Sequence, residues 1–111
     1  RREHFEIIHS GTGLLHFFDF VLTREDYGKP KPNPEPFLTA IIRNRLQPKH
    51  CIIIEDSERG LAAAKAAGIR CMVVPNRLTR DGNFSGAYRV LENVREVTGE
   101  VFQRIGHCYR L

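Results

Sequence analysis

The apolar residues of this chain fall into short groups with two different spacings, separated by polar and proline-rich loops. Between residues 37 and 42, one Phe, one Leu and two Ile recur at the spacing of a helix that buries a single face. Between residues 51 and 54, the run Cys-Ile-Ile-Ile is apolar throughout, which is typical of a parallel strand with both faces covered. The two spacings together predict an α/β fold.

Breaker residues set the expected ends of the elements. The second helix begins at Pro34 after Asn33 as N-cap and is closed by Gln47-Pro48, whereas Gly68 is the C-cap of the third. The predicted order is helix, strand, helix, strand, helix, strand, with the elements at residues 1–9, 19–23, 34–47, 51–54, 58–67 and 71–74.

Helices alternating with short apolar strands predict a doubly wound parallel sheet with right-handed crossovers. A chain of 111 residues has room for one core. We expect residues 1–98 to form that Rossmann-like core, with a short strand and helix within residues 87–97. Residues 99–111 are expected to be a tail of undetermined structure.

Charge and composition narrow the classes of function. No apolar run approaches the ~18–20 residues of a membrane span, and residues 1–10 lack the apolar core of a signal peptide, so a cytoplasmic protein is expected. The three cysteines have no metal-binding spacing and are expected to be reduced thiols. The net charge of +4 comes from scattered cations, which favours small anions over nucleic acid as partners.

Cationic and acidic side chains follow two successive predicted strands. Lys29 and Lys31 lie in the loop after the strand over residues 19–23, whereas Glu55, Asp56 and Ser57 follow the run at 51–54. Ligands of open parallel sheets bind beyond the carboxyl ends of the strands. We therefore expect a lysine and a carboxylate pair to meet at one rim of the sheet.

Such a rim suits a phosphoryl group held with Mg²⁺. Mg²⁺ takes one or two carboxylates together with phosphate oxygens, and a helix N-terminus near Ser57 favours an anion. Glu55 and Asp56 are consecutive, so along a strand they point in opposite directions, and only one of them dominates a metal site unless the strand has already ended and turned. The alternative interpretation is that the lysines are solvated loop charges and that residues 55–57 only cap a helix.

The two segments KPKPNPEPFLTAI and CIIIEDSERGLAAAKAAGI resemble the third and fourth motifs of the haloacid dehalogenase-like hydrolases, closest to their β-phosphoglucomutase-like phosphatase branch. The likeness runs from about Arg2 to about Val97. KPKP fits the motif in two registers, and the Pro-Asn-Pro-Glu-Pro-Phe-Leu that follows favours Lys31.

The resemblance implies roles for individual residues. Lys31 corresponds to the lysine that holds the aspartyl nucleophile and the phosphoryl group. Glu55 and Asp56 correspond to the acidic pair that binds Mg²⁺, with Asp56 the stronger candidate and Glu55 reaching the ion directly or through water. Ser57 is expected to contact substrate, and Ser57 and Gly60 correspond to the turn into the following helix.

One departure from the family pattern is large. Its members use an aspartate nucleophile in a DxD motif, and no two aspartates of this chain are two residues apart. The resemblance therefore implies the C-terminal half of the core, without the first strand, the motif-two Ser or Thr, or the cap domain. Such a chain is expected to be inactive alone and to expose an apolar sheet edge, through which it self-associates.

The function implied is that of a Mg²⁺-dependent phosphohydrolase. It acts on small phosphorylated metabolites through an aspartyl-phosphate intermediate, with the nucleophile outside these residues. Three alternatives stay open: a β-phosphoglucomutase-like phosphomutase, a catalytically silent binding module, and a basic nucleic-acid binder.

Overall fold

The computed structural model describes residues 19–101, and these form three short strands and three helices with two single-turn 3₁₀ helices. The predicted helix over residues 1–9 lies outside the described residues, as do residues 102–111. In chain order the elements are a 3₁₀ turn (Arg24–Asp26), α1 (Glu35–Arg43), a 3₁₀ turn (Pro48–His50), β1 (Ile52–Glu55), α2 (Glu58–Ala67), β2 (Arg70–Val73), β3 (Arg89–Val90) and α3 (Glu96–Glu100).

The three strands form one parallel sheet in the order β1–β2–β3. Ile52 pairs with Arg70 and Glu55 with Val73, so β1 and β2 end level with each other at their carboxyl ends. β3 joins through the pair Met72 and Arg89. The parallel α/β sheet predicted from the sequence is confirmed.

Helix α2 occupies the residues that its pattern predicts, Glu58 to Ala67. Ser57 caps its first turn, and Gly68 ends it in a left-handed conformation with φ of 74°. Two of its alanines, Ala63 and Ala64, have no solvent exposure, since small side chains allow a close approach of the helix to the rest of the core. This helix therefore fixes the position of the segment that joins it to β1.

The core has two parts. One contains Ile53, Leu61 and Val73 between the sheet and the helices. The other contains Met72, Leu91 and Val101. Helix α3 spans the predicted boundary between the core (residues 1–98) and the tail (residues 99–111). The boundary itself stays a prediction.

The predicted strand over residues 19–23 is wrong, because no described strand lies beside this segment to form a ladder with it. The N–H of Thr23 instead donates to Oδ2 of Asp26 at 2.6 Å, which closes a turn. Phe20 is correspondingly exposed.

Two finer expectations also differ from the structure. Helix α1 begins one residue later than predicted, with Pro34 as its N-cap, and it ends at Arg43, well before Gln47. The apolar run at 51–54 predicted that both faces of the strand are covered. Ile53 on one face is buried, at 8% exposure, but Ile54 on the other face is 40% exposed. Within residues 19–101, β1 has a partner on one side only, so one of its edges is unpaired there.

No helix within the described range is long and apolar enough to cross a membrane.

Two glycines with open space around the Cβ position test the backbone geometry in opposite directions. Gly68 has φ of 74°, whereas Gly99 lies within α3. Gly68→Ala should lower the free energy of unfolding by about 1 kcal/mol, because a Cβ disfavours the left-handed conformation. Gly99→Ala should raise it by up to about 1 kcal/mol, because Ala loses less entropy in a helix. Urea unfolding of both variants measures this, and a loss of stability at Gly99 equal to that at Gly68 would contradict the assigned conformations.

Candidate active site

The carboxyl ends of β1 and β2 form a polar rim. Glu55 is the last residue of β1, and its carbonyl oxygen accepts a hydrogen bond from the N–H of Val74 at 2.7 Å. Asp56 and Ser57 follow directly and lead into α2. The predicted acidic pair thus lies at the rim of the sheet where ligands of such folds bind.

Lys31 reaches this rim and forms an ion pair with Glu55, Nζ to Oε1. The two side chains are 35% and 8% exposed, so the carboxylate is nearly covered while the ammonium faces partly toward solvent. The ammonium also lies 5.2 Å from the centroid of the Phe37 ring on α1. Lys31 thereby contacts both the end of β1 and helix α1.

The backbone around Lys31 is fixed as well. Its carbonyl oxygen accepts a hydrogen bond from the guanidinium of Arg59 on α2 at 2.7 Å. Nearby, the carboxylate of Glu35 accepts hydrogen bonds from the N–H groups of Gly28 and Lys29, both at 2.8 Å. These two bonds lower the pKa of Glu35, and the bond from Gly28 has the larger effect.

The two lysines of the KPKP segment have different surroundings. Lys31 contacts Glu55, whereas the side chain of Lys29 is exposed and, within residues 19–101, hydrogen bonds of Lys29 involve only its backbone N–H. The structure therefore brings Lys31, and not Lys29, to the acidic pair. The catalytic and substrate-binding roles of Lys31 stay predictions.

Glu55 rests on the first turn of α2 because residue 60 has no side chain. A Cβ on Gly60 would overlap the Glu55 side chain from its Cγ to its carboxylate. The absence of that atom lets the Glu55 carboxylate lie over the helix and face Lys31. Gly60 is therefore required by the close approach of Glu55.

Asp56 and Ser57 point to different partners. Asp56 is exposed, and its Oδ2 accepts a hydrogen bond from the side-chain amide of Asn76 at 3.1 Å. The hydroxyl oxygen of Ser57 accepts a hydrogen bond from the N–H of Gly60 at 3.1 Å, as an N-cap. Capping is thus a role that Ser57 has in this structure, and its contact with substrate stays a prediction.

The donor set at the rim suits Mg²⁺. No cluster of three or more His, Cys, Asp or Glu side chains that could enclose a metal occurs between residues 19 and 101. Mg²⁺ at phosphoryl sites does not need such a cage, because one or two carboxylates suffice beside phosphate oxygens and water. Asp56 is accessible for this role, whereas Glu55 is already paired with Lys31.

Neither cysteine within residues 19–101 fits the role of a nucleophile at this site. Burial, and next the charge of Glu55, raise the pKa of the Cys71 thiol to about 11, while Lys31 acts in the other direction. Burial also raises the pKa of Cys51. Both thiols are free of disulfide bonds and stay protonated near neutral pH, where only the thiolate is nucleophilic.

Three residues of the rim were not identified from the sequence in these roles: Arg59 on the Lys31 carbonyl, Gly60 as the seat of Glu55, and Asn76 on Asp56. The signal for Asn76 is its position, three residues after the end of β2 at the rim that β1 also reaches. Nothing in the spacing of Arg59 or Gly60 indicates their contacts.

The fold and the rim together define a Rossmann-like α/β protein with a polar site at the carboxyl ends of its strands. A model of the haloacid dehalogenase-like hydrolases matches residues 1–74, so the chain belongs to this family. The resemblance of its two motifs is thereby confirmed.

Individual relatives cover most of the chain but only part of their own length. YhcW of Bacillus subtilis (strain 168) is 38% identical over 85 residues, 77% of this chain and 39% of that protein. Fructose-1-phosphate phosphatase YqaB of Escherichia coli (strain K12) is 40% identical over 57 residues, 51% and 30% of the two chains. The chain thus spans about two fifths of YhcW and less of YqaB.

Solved structures of CbbY from Rhodobacter sphaeroides have the same fold. Two of them, one in complex with phosphate and one, a mutant, with xylulose-(1,5)bisphosphate, match with a TM-score of 0.68 and 36% identity. Each match covers 70% of this chain and 35% of CbbY.

The seat of Glu55 on Gly60 is tested by a double-mutant cycle. Gly60→Ala should lower the free energy of unfolding by about 1–3 kcal/mol, because the new Cβ displaces the paired Glu55 side chain. In a Glu55→Ala background, the same change should have almost no such effect, because the overlapping atoms are gone. Chemical unfolding of the four proteins measures the coupling; an equal loss in both backgrounds would contradict the seat.

Proposed function

We propose that the full-length protein is a Mg²⁺-dependent phosphohydrolase of small phosphorylated metabolites, working through an aspartyl-phosphate whose nucleophile lies outside these 111 residues. The observation that carries the proposal is the contact of Lys31 with Glu55, directly before Asp56, at the carboxyl rim of a parallel sheet. A fixed ammonium beside paired acids is suited to hold a phosphoryl group.

Lys31 supplies positive charge where negative charge develops. A phosphoryl group in transfer spreads charge over its oxygens, and a preorganised ammonium stabilises that charge without reorganising. Glu55, Phe37 and the Arg59 contact hold the lysine in place before substrate arrives. We assign Lys31 to the phosphoryl group and Glu55 to orienting it.

We assign Mg²⁺ to Asp56 as the first candidate ligand, and Glu55 is the second candidate. The bound ion would neutralise phosphoryl oxygens as a Lewis acid. The N-terminus of α2 lies at the same rim and favours an anion there, and Ser57 on its first turn is our candidate for a substrate contact.

Relatives support the class of substrate. YqaB is named a fructose-1-phosphate phosphatase, and CbbY has been solved with phosphate and with xylulose-(1,5)bisphosphate. Sugar phosphates are therefore the first substrates to test, with p-nitrophenyl phosphate as a general reporter.

Substitutions at the rim test the proposal in the full-length protein. Phosphate release should require Mg²⁺, and Asp56→Asn or Lys31→Ala should each reduce kcat/KM by about 100-fold or more, because charge stabilisation is lost. Lys29→Ala is the matched control, expected within about twofold of wild type since its side chain is exposed. Steady-state phosphate release measures all three.

An unchanged rate for Asp56→Asn would remove Asp56 from the metal site. A larger loss at Lys29 than at Lys31 would mean that the other register of KPKP is the functional one.

A further inference from the structure

Asn76 follows β2 at the rim and touches the acid that is assigned to the metal. Its side-chain amide donates to Oδ2 of Asp56 at 3.1 Å. We infer that Asn76 is a positioning residue, whose amide fixes the Asp56 carboxylate for the metal ion. This role depends on the proposed function, since it presupposes that Asp56 binds Mg²⁺.

The amide of Asn76 has only one orientation that satisfies its surroundings. Its Oδ1 accepts hydrogen bonds from the N–H groups of Leu78 at 2.8 Å and Thr79 at 3.1 Å. An amide nitrogen cannot accept these bonds, so the oxygen must face the turn. The NH₂ group is consequently directed to Asp56.

The turn itself is closed by further hydrogen bonds. The N–H of Asn76 donates to Oγ1 of Thr79 at 3.0 Å, and the carbonyl oxygen of Asn76 accepts from the N–H of Arg80 at 3.0 Å. A side chain held at both its backbone and its amide oxygen has little freedom to rotate. The donor therefore presents a fixed point to Asp56.

Asp56 needs such a point because it is exposed and lies beyond the end of β1. Its other oxygen, Oδ1, has no hydrogen-bond partner within residues 19–101. The contact with Asn76 thus fixes one oxygen and leaves the other for a cation. Partners of ligating carboxylates tune affinity in this way, and losing one weakens metal binding by about 10–100-fold.

Two variants separate the amide donor from the turn that carries it. Asn76→Ser keeps a side-chain oxygen for the N–H groups of the turn but is too short to reach Asp56. Thr79→Val removes the acceptor for the N–H of Asn76, which loosens the turn, and keeps the amide. Asp56→Asn serves as the reference for the metal site itself.

Mn²⁺ is the probe ion, titrated into the metal-free full-length protein and followed by electron paramagnetic resonance. Asn76→Ser should weaken Mn²⁺ binding by about tenfold, whereas Thr79→Val, which keeps the amide donor and removes one bond of the turn, should weaken it clearly less. At saturating Mg²⁺, the kcat of Asn76→Ser should return to the wild-type value, because the defect lies in binding the ion. Thermal unfolding of both variants shows how far each substitution disturbs the turn.

The possible failures are distinguishable. If Asn76→Ser binds Mn²⁺ as tightly as wild type, or if Thr79→Val weakens binding equally, the positioning role is wrong even though Asp56→Asn abolishes binding. If Asp56→Asn leaves Mn²⁺ binding unchanged, the assignment of the metal to Asp56 fails, and the positioning role of Asn76 fails with it. The proposed function itself is overturned only if the wild-type full-length protein releases no phosphate with Mg²⁺.

Discussion

The ion pair between Lys31 and Glu55 is the interaction on which the arrangement of the rim depends. The Glu55 side chain is only 8% exposed, at the end of an apolar strand. A carboxylate taken out of water is destabilising unless it is paired and hydrogen-bonded. Lys31 provides the pairing, and it comes from a loop 24 residues earlier in the chain.

That pairing constrains the sequence in several places. The loop must bring the lysine to the end of β1, and Glu35 and Arg59 hold its backbone there. Residue 60 must lack a Cβ so that Glu55 fits over α2. Because Glu55 turns toward Lys31, Asp56 faces solvent and Asn76 instead, and the two consecutive acids acquire different surroundings.

Much of this was accessible from the sequence because it depends on local rules. The span of α2 follows from its N-cap serine and the C-terminal Gly68, and the parallel sheet follows from short apolar runs alternating with helices. The meeting of Lys31 with Glu55 was predicted from the rule that carboxyl ends of parallel strands share one rim, and it holds although only Glu55 lies at the end of a strand. What failed depended on tertiary partners: residues 19–23 have strand composition, but no described strand lies beside them. Ile54 was expected to be buried because it belongs to a continuous apolar run. It is exposed, since one face of β1 is only partly covered within residues 19–101. The contacts of Arg59 and Asn76 depend on side-chain directions that no spacing reports.

The most direct test of the central claim is the coupling energy between Lys31 and Glu55 in this chain. It is obtained from urea unfolding of wild type, Lys31→Met, Glu55→Gln and the double variant. Since each partner alone leaves the other charge uncompensated, the two substitutions should be non-additive by about 1 kcal/mol or more. Additivity within about 0.5 kcal/mol would contradict the account, because residues without a shared contact behave in that way.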